Sequence, residues 1–171
     1  LAVMRINAVA IPGTTLLTAK DIEYRLKAAN IKAVISDSEN ASKIEEAVNN
    51  YGKDLILINT DNQQGWYNYE ELLENEAFLG ERTFSNGPAF IFFTSGTTGL
   101  PKMVLHTQVS YPLAHIITGK FWLDLKPGDI HWNISDTGWA KASWSSFFGP
   151  WNMGTTVFTY YRKGKFSPSL I

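Results

Sequence analysis

From Thr94 to Lys102 the chain reads Thr94-Ser95-Gly96-Thr97-Thr98-Gly99-Leu100-Pro101-Lys102: two glycines, four hydroxyl residues and one lysine in nine positions. These residue types suit an oxyanion. Glycines let backbone N–H groups approach a ligand closely, hydroxyls donate further hydrogen bonds, and lysine adds a point charge. The implied chemistry is a hold on the phosphates of a nucleotide. The spacing departs from two familiar phosphate loops. A P-loop sets its lysine directly after a glycine and a helix directly behind. Here Leu100 and Pro101 separate Gly99 from Lys102, and the apolar run Met103-Val104-Leu105 follows. The G-x-G-x-x-G turn of a dinucleotide site is absent. Backbone amides, hydroxyls and Lys102 would then hold the phosphates through a loop between two strands, without a helix dipole. By residue type alone the stretch also reads as a surface turn between strands, rich in glycine and threonine as turns are.

The elements that position this loop follow from the flanking patterns. Residues 89–93, Ala-Phe-Ile-Phe-Phe, read as a strand, and Met103-Val104-Leu105-His106 reads as a second one. A helix is expected from about Tyr111 to Leu123, with Pro112 tolerated in its first turn and Leu113, Ile116, Ile117 and Phe121 as its inward stripe. Pro127-Gly128-Asp129 turns into a strand from Ile130 to Ile134. A further helix runs from Trp139 to Phe148 and ends at Gly149-Pro150, before a strand at Thr155–Phe158. Asp136 is placed to cap the Trp139 helix.

The first sixty residues alternate. Val9-Ala10-Ile11 is a short strand stopped by Pro12-Gly13. Thr18 is an N-cap with Asp21 three residues on, and Ile22, Leu26 and Ala29 share a helical face. Residues 32–36 form a buried-type strand, and Asn40 caps a second helix with Ile44, Ala47 and Val48 inward. Residues 55–58 are the next strand. This order predicts an α/β fold, layered sheets with helices and largely parallel pairing. The chain then divides into a βαβαβ-like half at 1–60, a polar connector at 61–88 with a short helix from Tyr69 to Asn75, and a second half at 89–171 that carries the loop.

Five of the six tryptophans lie between Trp122 and Trp151. The Trp139 helix has two faces. Trp144, Phe147, Phe148 and Trp151 form a core stripe, while Trp139, Ala142, Ser143 and Ser146 set one large ring beside small side chains. The second stripe reads either as close helix packing or as the border of a cavity whose depth Trp139 sets. His106, His115 and His131 fit no metal-ligand spacing, and without cysteine there is no thiolate site, so no metal residues are assigned.

Composition bounds the rest. A chain of 171 residues with 44% hydrophobic and 18% charged residues is globular, not disordered. A net charge of -1 supplies no field toward nucleic acid. No apolar run reaches the roughly 20 residues of a membrane helix. The chain begins at Leu1 without a signal-like segment and stops at Ile171 soon after a strand, so it is expected to be an internal piece of a longer protein. The cytoplasm is the expected compartment, with the mitochondrial matrix as the alternative if a targeting segment lies outside these residues.

The string Thr94–Lys102 resembles the phosphate-binding loop of the acyl-adenylate-forming (AMP-binding) superfamily, which includes acyl-CoA synthetases, peptide-synthetase adenylation domains and beetle luciferases. Residues 8–14, Ala-Val-Ala-Ile-Pro-Gly-Thr, are similar to an early strand and turn of medium-chain acyl-CoA synthetases. Ser135-Asp136-Thr137-Gly138-Trp139 and Gly149-Pro150-Trp151 look like the segment beyond the loop in the same branch. The resemblance covers the whole chain and implies a single, partial AMP-binding domain within the large N-terminal domain.

It further implies a two-step reaction. A carboxylate attacks the α-phosphate of ATP to give an acyl-adenylate and pyrophosphate, and the CoA thiol then takes the acyl group and releases AMP. Thr94, Ser95, Gly96, Thr97, Thr98, Gly99, Leu100, Pro101 and Lys102 would hold the β- and γ-phosphates, with Thr97 and Lys102 assisting pyrophosphate departure, usually alongside Mg²⁺. Trp139 and Ser143 would border the acyl pocket. The substrates would be a short- or medium-chain carboxylic acid, ATP and CoA. The family's adenine segment, magnesium-binding glutamate, ribose-binding aspartate, hinge and C-terminal lysine match nothing here. Tyr161-Arg162-Lys163-Gly164-Lys165 carries lysine where a ribose motif needs aspartate. An amino-acid-activating adenylation domain and a non-catalytic nucleotide-binding or scaffolding fragment are the competing readings.

Overall fold

Thr18 opens the first long helix as its sequence requires. Its side chain accepts from the backbone N–H of Asp21, and the Asp21 carboxylate accepts in return from Thr18 N at 3.0 Å. Two N–H groups that a helix start leaves unpaired are thereby satisfied. A computed structural model of the chain describes residues 1–78, 80, 82–95 and 99–161. Two compact units emerge, one formed by Leu1–Pro12 with Glu81–Ile171 and the other by Gly13–Gly80.

The Gly13–Gly80 unit is a three-stranded parallel sheet in the order β1 (Ala33–Ser36), β2 (Ile56–Asn59), β3 (Tyr67–Asn68). Helices α2 (Ala19–Ala29) and α3 (Ala41–Tyr51) pack together through Leu26, Ala41, Ile44 and Ala47, all buried. Asn40 does not cap α3 with its side chain. Asp37 caps upstream instead, accepting from Asn40 N at 3.0 Å ahead of a short 3-10 turn, Ser38–Asn40. The polar stretch after residue 60 contributes β3, paired with β2, and the short helix α4 (Tyr69–Leu73).

The other unit holds the candidate phosphate loop. A short helix α1 (Ala2–Arg5) leads to Ala10, which makes one parallel bridge with Phe90. The strand expected at residues 9–11 therefore pairs with the second half of the chain and not with β1. Strands β4 (Pro88–Thr94) and β5 (Lys102–Thr107) form an antiparallel pair, with Phe90 opposite His106 and Thr94 opposite Lys102. The core gathers on the inner face of β4: Met4, Ala89, Phe90, Phe92, Tyr111 and Phe148, with Ala10, Ala140, Trp144 and Phe147 packed against them.

Helix α5 (Ser110–Ile117) continues as a π-helical segment, Thr118–Trp122. Its buried positions are Tyr111 and Gly119, while the expected inward stripe of Leu113, Ile116, Ile117 and Phe121 is exposed. The reason is a close crossing. A Cβ at Gly119 would lie 2.7 Å from the Gly149 carbonyl oxygen, so the glycine face and not the leucine–isoleucine face meets the next helix. That next helix begins as α6 (Ala140–Ser143), widens into a π-helical turn at Trp144–Phe148, and runs on as α7 (Gly149–Asn152). Gly149-Pro150 does not stop it. The wide turn ends on the bond from Gly149 N to Trp144 O, and Pro150 begins a fresh turn where no donor is needed. Strands β6 (Ile130–His131) and β7 (Thr156–Val157) pair in parallel.

Candidate functional site

A largely buried strand, β4, and a more exposed one, β5, hold the loop at its ends. Along β4 the buried residues Ala89, Phe90 and Phe92 anchor the strand in the core, and Thr94 emerges exposed at its tip. The Thr94 hydroxyl donates to the Lys102 carbonyl at 3.4 Å, closing the hairpin neck. Ser95, Gly99, Leu100 and Lys102 are exposed, and Pro101 is half-buried. Gly99 has φ +91°, a left-handed conformation that favours glycine. Gly96, Thr97 and Thr98 lie outside the described residues. The arrangement is a loop between antiparallel strands, and the nearest following helix, α5, starts only at Ser110. The contacts on offer to an anion are hydroxyls, backbone N–H groups and the Lys102 ammonium.

Behind the hairpin lies a column of rings centred on Tyr111, which is 3% exposed. Its ring centroid lies 5.2 Å from that of Phe90, 5.3 Å from Phe92, 4.8 Å from His106, 4.5 Å from His115 and 5.5 Å from Phe148. His115 stacks on Trp144 at 5.6 Å, and its Nδ1 pairs with the Thr118 hydroxyl at 2.9 Å. The Tyr111 hydroxyl donates to the Ala140 carbonyl at 2.9 Å and also bonds Ser143. Burial pushes the Tyr111 hydroxyl up to about 12, against the smaller opposing pull of Ser143. Burial lowers both His106 and His115, and the charge of His106 lowers His115 further. The sequence pattern does not single out Tyr111. Its one local signal is the four-residue spacing to His115, which puts both rings on one helical face.

The Trp139–Ser146 stripe divides. Trp139 is 59% exposed, whereas Ala142 and Ser143 are buried, Ser143 at 7%. Asp136 does not cap the helix. Its Oδ1 accepts from Gly138 N at 2.7 Å, and the N-cap position is Trp139, which has no side-chain cap. An open cleft of about 580 Å³ lies beside this stripe, lined by Ile117, Thr118, Phe121, Trp122, Lys141 and Trp144. Neither Trp139 nor Ser143 lines it. Among the described residues no group of three or more His, Asp or Glu side chains converges to hold a metal ion. The described part of the loop likewise supplies hydroxyls and an ammonium instead of carboxylates, so these residues do not fit a protein-held Mg²⁺. No described helix is long and apolar enough to cross a membrane.

Comparison with known proteins gives the family. The chain is 42% identical over 175 residues to the acyl-coenzyme A synthetase ACSM3, mitochondrial, of Homo sapiens, an alignment covering 99% of this chain and 30% of that protein. It is 42% identical over 163 residues to the acyl-coenzyme A synthetase ACSM4, mitochondrial, of Mus musculus, covering 93% and 28%. The chain thus spans less than a third of the length of these relatives. In fold it is similar to an acyl-CoA synthetase of Brucella canis, with a TM-score of 0.77 and 24% identity over 91% of this chain and 29% of that one. A benzoate CoA ligase from Burkholderia xenovorans has a TM-score of 0.76 and 21% identity, covering 91% and 30%. The pattern of the family described as AMP-binding enzyme matches residues 1–171, and the chain belongs to that family.

Proposed function

We propose that this chain is part of an ATP-dependent acyl-CoA synthetase acting on a short- or medium-chain carboxylic acid, and that Thr94–Lys102 grip the β- and γ-phosphates of ATP. The observation that carries the reading is the hairpin itself. Buried phenylalanines fix the strand leading into it, and its tip presents Thr94, Ser95 and Lys102 to solvent. Membership of the AMP-binding family and relatives that are acyl-CoA synthetases support it.

In the first step the acid carboxylate attacks the α-phosphorus and the bond to the β-phosphate oxygen breaks. Charge then accumulates on departing pyrophosphate. Hydroxyl and amide donors with the Lys102 ammonium would stabilise that charge where it develops. Mg²⁺, when it arrives with the nucleotide, would supply further neutralisation. The acid would lie beside Trp139, whose exposed ring can bound an apolar chain, with Ser143 behind it. The mitochondrial names of the relatives favour the mitochondrial matrix over the cytoplasm for this protein.

The test is carboxylate-dependent ATP–pyrophosphate exchange by the full-length protein, across acids of increasing length. Lys102→Ala is expected to lower exchange by about tenfold to hundredfold, the range for a lost charge-assisted hydrogen bond, with thermal unfolding unchanged. Unchanged exchange in that variant would reject the loop's role and favour the scaffolding reading.

A further inference from the structure

We propose that Tyr111 is a positioning residue that sets the Trp139–Ser143 segment against the two strands of the phosphate hairpin. Its ring and its hydroxyl face different partners. The ring packs on Phe90 and Phe92 of β4 and on His106 of β5, at centroid distances of 5.2, 5.3 and 4.8 Å. Phe92 stands two residues before Thr94, and His106 four residues after Lys102, so both strands that carry the loop rest on this one ring. The hydroxyl reaches the other way, donating to the carbonyl of Ala140 at 2.9 Å and bonding Ser143. Ala140 directly follows Trp139 and begins α6. Its carbonyl also accepts from Trp144 N, the end of the first turn of α6, so the tyrosine occupies the second lone pair and pins the start of the helix.

The hydroxyl is suited to this because it stays protonated: burial in an aromatic cage disfavours the phenolate. A buried hydroxyl with both partners fixed has one orientation, and the segment that carries Trp139 inherits it. A displaced Trp139 segment would loosen the contacts that bind the acid, a loss that reads in its KM. The assignment rests on the reading of the hairpin loop as the phosphate grip of an acid-activating enzyme.

Tyr111→Phe in the full-length protein keeps the ring and deletes the hydroxyl. It is expected to raise the KM for the acid about fivefold, the equivalent of one ordinary hydrogen bond, while the KM for ATP stays within about twofold because the ring still supports β4 and β5. Ser143→Ala, which removes the partner and spares the tyrosine, should move the acid KM in the same direction. Because both effects pass through one hydrogen-bonded group, the double variant should fall short of the sum of the two. A fall in kcat with both KM values unchanged, or no change in either variant, would overturn the positioning role. If Tyr111→Phe lowers the unfolding temperature, the same KM split is read at a temperature below its transition, where the variant is folded. Failure of the unsubstituted protein to exchange pyrophosphate with any acid would instead overturn the acid-activating reading, and the positioning role with it.

Discussion

His106 and His115 both pack edge-on against the ring of Tyr111, at 4.8 and 4.5 Å, and burial disfavours the charged form of both imidazoles. The consequence is a pH window with a definite sign. Each histidine has a folded-state pKa below its unfolded value of 6.5. The stability tied to the neutral form is therefore present above 6.5 and is lost as pH falls through the folded-state value. The thermal unfolding temperature of the full-length protein should drop as pH falls below about 6.5, and His115→Gln should flatten that drop. An acid profile identical in the variant would show that His115 titrates as it does in the unfolded chain. The sequence supplied the spacing of these histidines and excluded a metal assignment. It did not show that Phe92, His106, Tyr111, His115 and Trp144 form one column, because those contacts join β4, β5, α5 and the π-helical turn at Trp144–Phe148 across 52 residues of chain.

Elements whose cause is local were legible, and elements whose cause is a neighbour were not. The capping box of Thr18 and Asp21 needs only four consecutive residues, and the structure contains it. The apolar run Ala89–Phe93 marks a strand, and β4 buries Ala89, Phe90 and Phe92 of it. The helix after the loop is different. Its hydrophobic stripe pointed to Leu113, Ile116, Ile117 and Phe121, yet the crossing of Gly119 over Gly149 decides which face is covered. Gly119→Ala isolates that effect. Helix propensity alone would favour alanine by about 1 kcal/mol. The new Cβ, however, would sit 2.7 Å from the Gly149 carbonyl oxygen and 2.9 Å from the Met153 side chain, and overpacking of this kind costs about 1–3 kcal/mol. Denaturant unfolding should show net destabilisation. A stabilised variant would mean that α5 and α7 can move apart at no cost.

At the scale of the molecule, 171 residues spanning less than a third of the relatives' length form two compact units, one of which carries the whole hairpin. Residues 1–171 expressed alone are expected to make no acyl-CoA from acid, ATP and CoA, since the groups assigned here account for phosphate binding and for one side of the acid pocket only. Detectable product in a thioester assay would show that this segment holds a complete site.

The sequence by itself determined the family, whose pattern matches residues 1–171, and the donors on offer in Thr94–Lys102, which are hydroxyls, amides and one ammonium by residue type alone and need no fold to be read. It also set the parallel pairing of β1 with β2, because a strand–helix–strand order leaves little other choice. Tertiary structure alone decided that Ala10 joins Phe90, that Ser143 is buried while Trp139 faces out, and that Tyr111 ties the two halves of the candidate site together. Those outcomes depend on which surfaces meet, and a buried hydroxyl or a glycine crossing acquires its meaning only from the atoms placed opposite it.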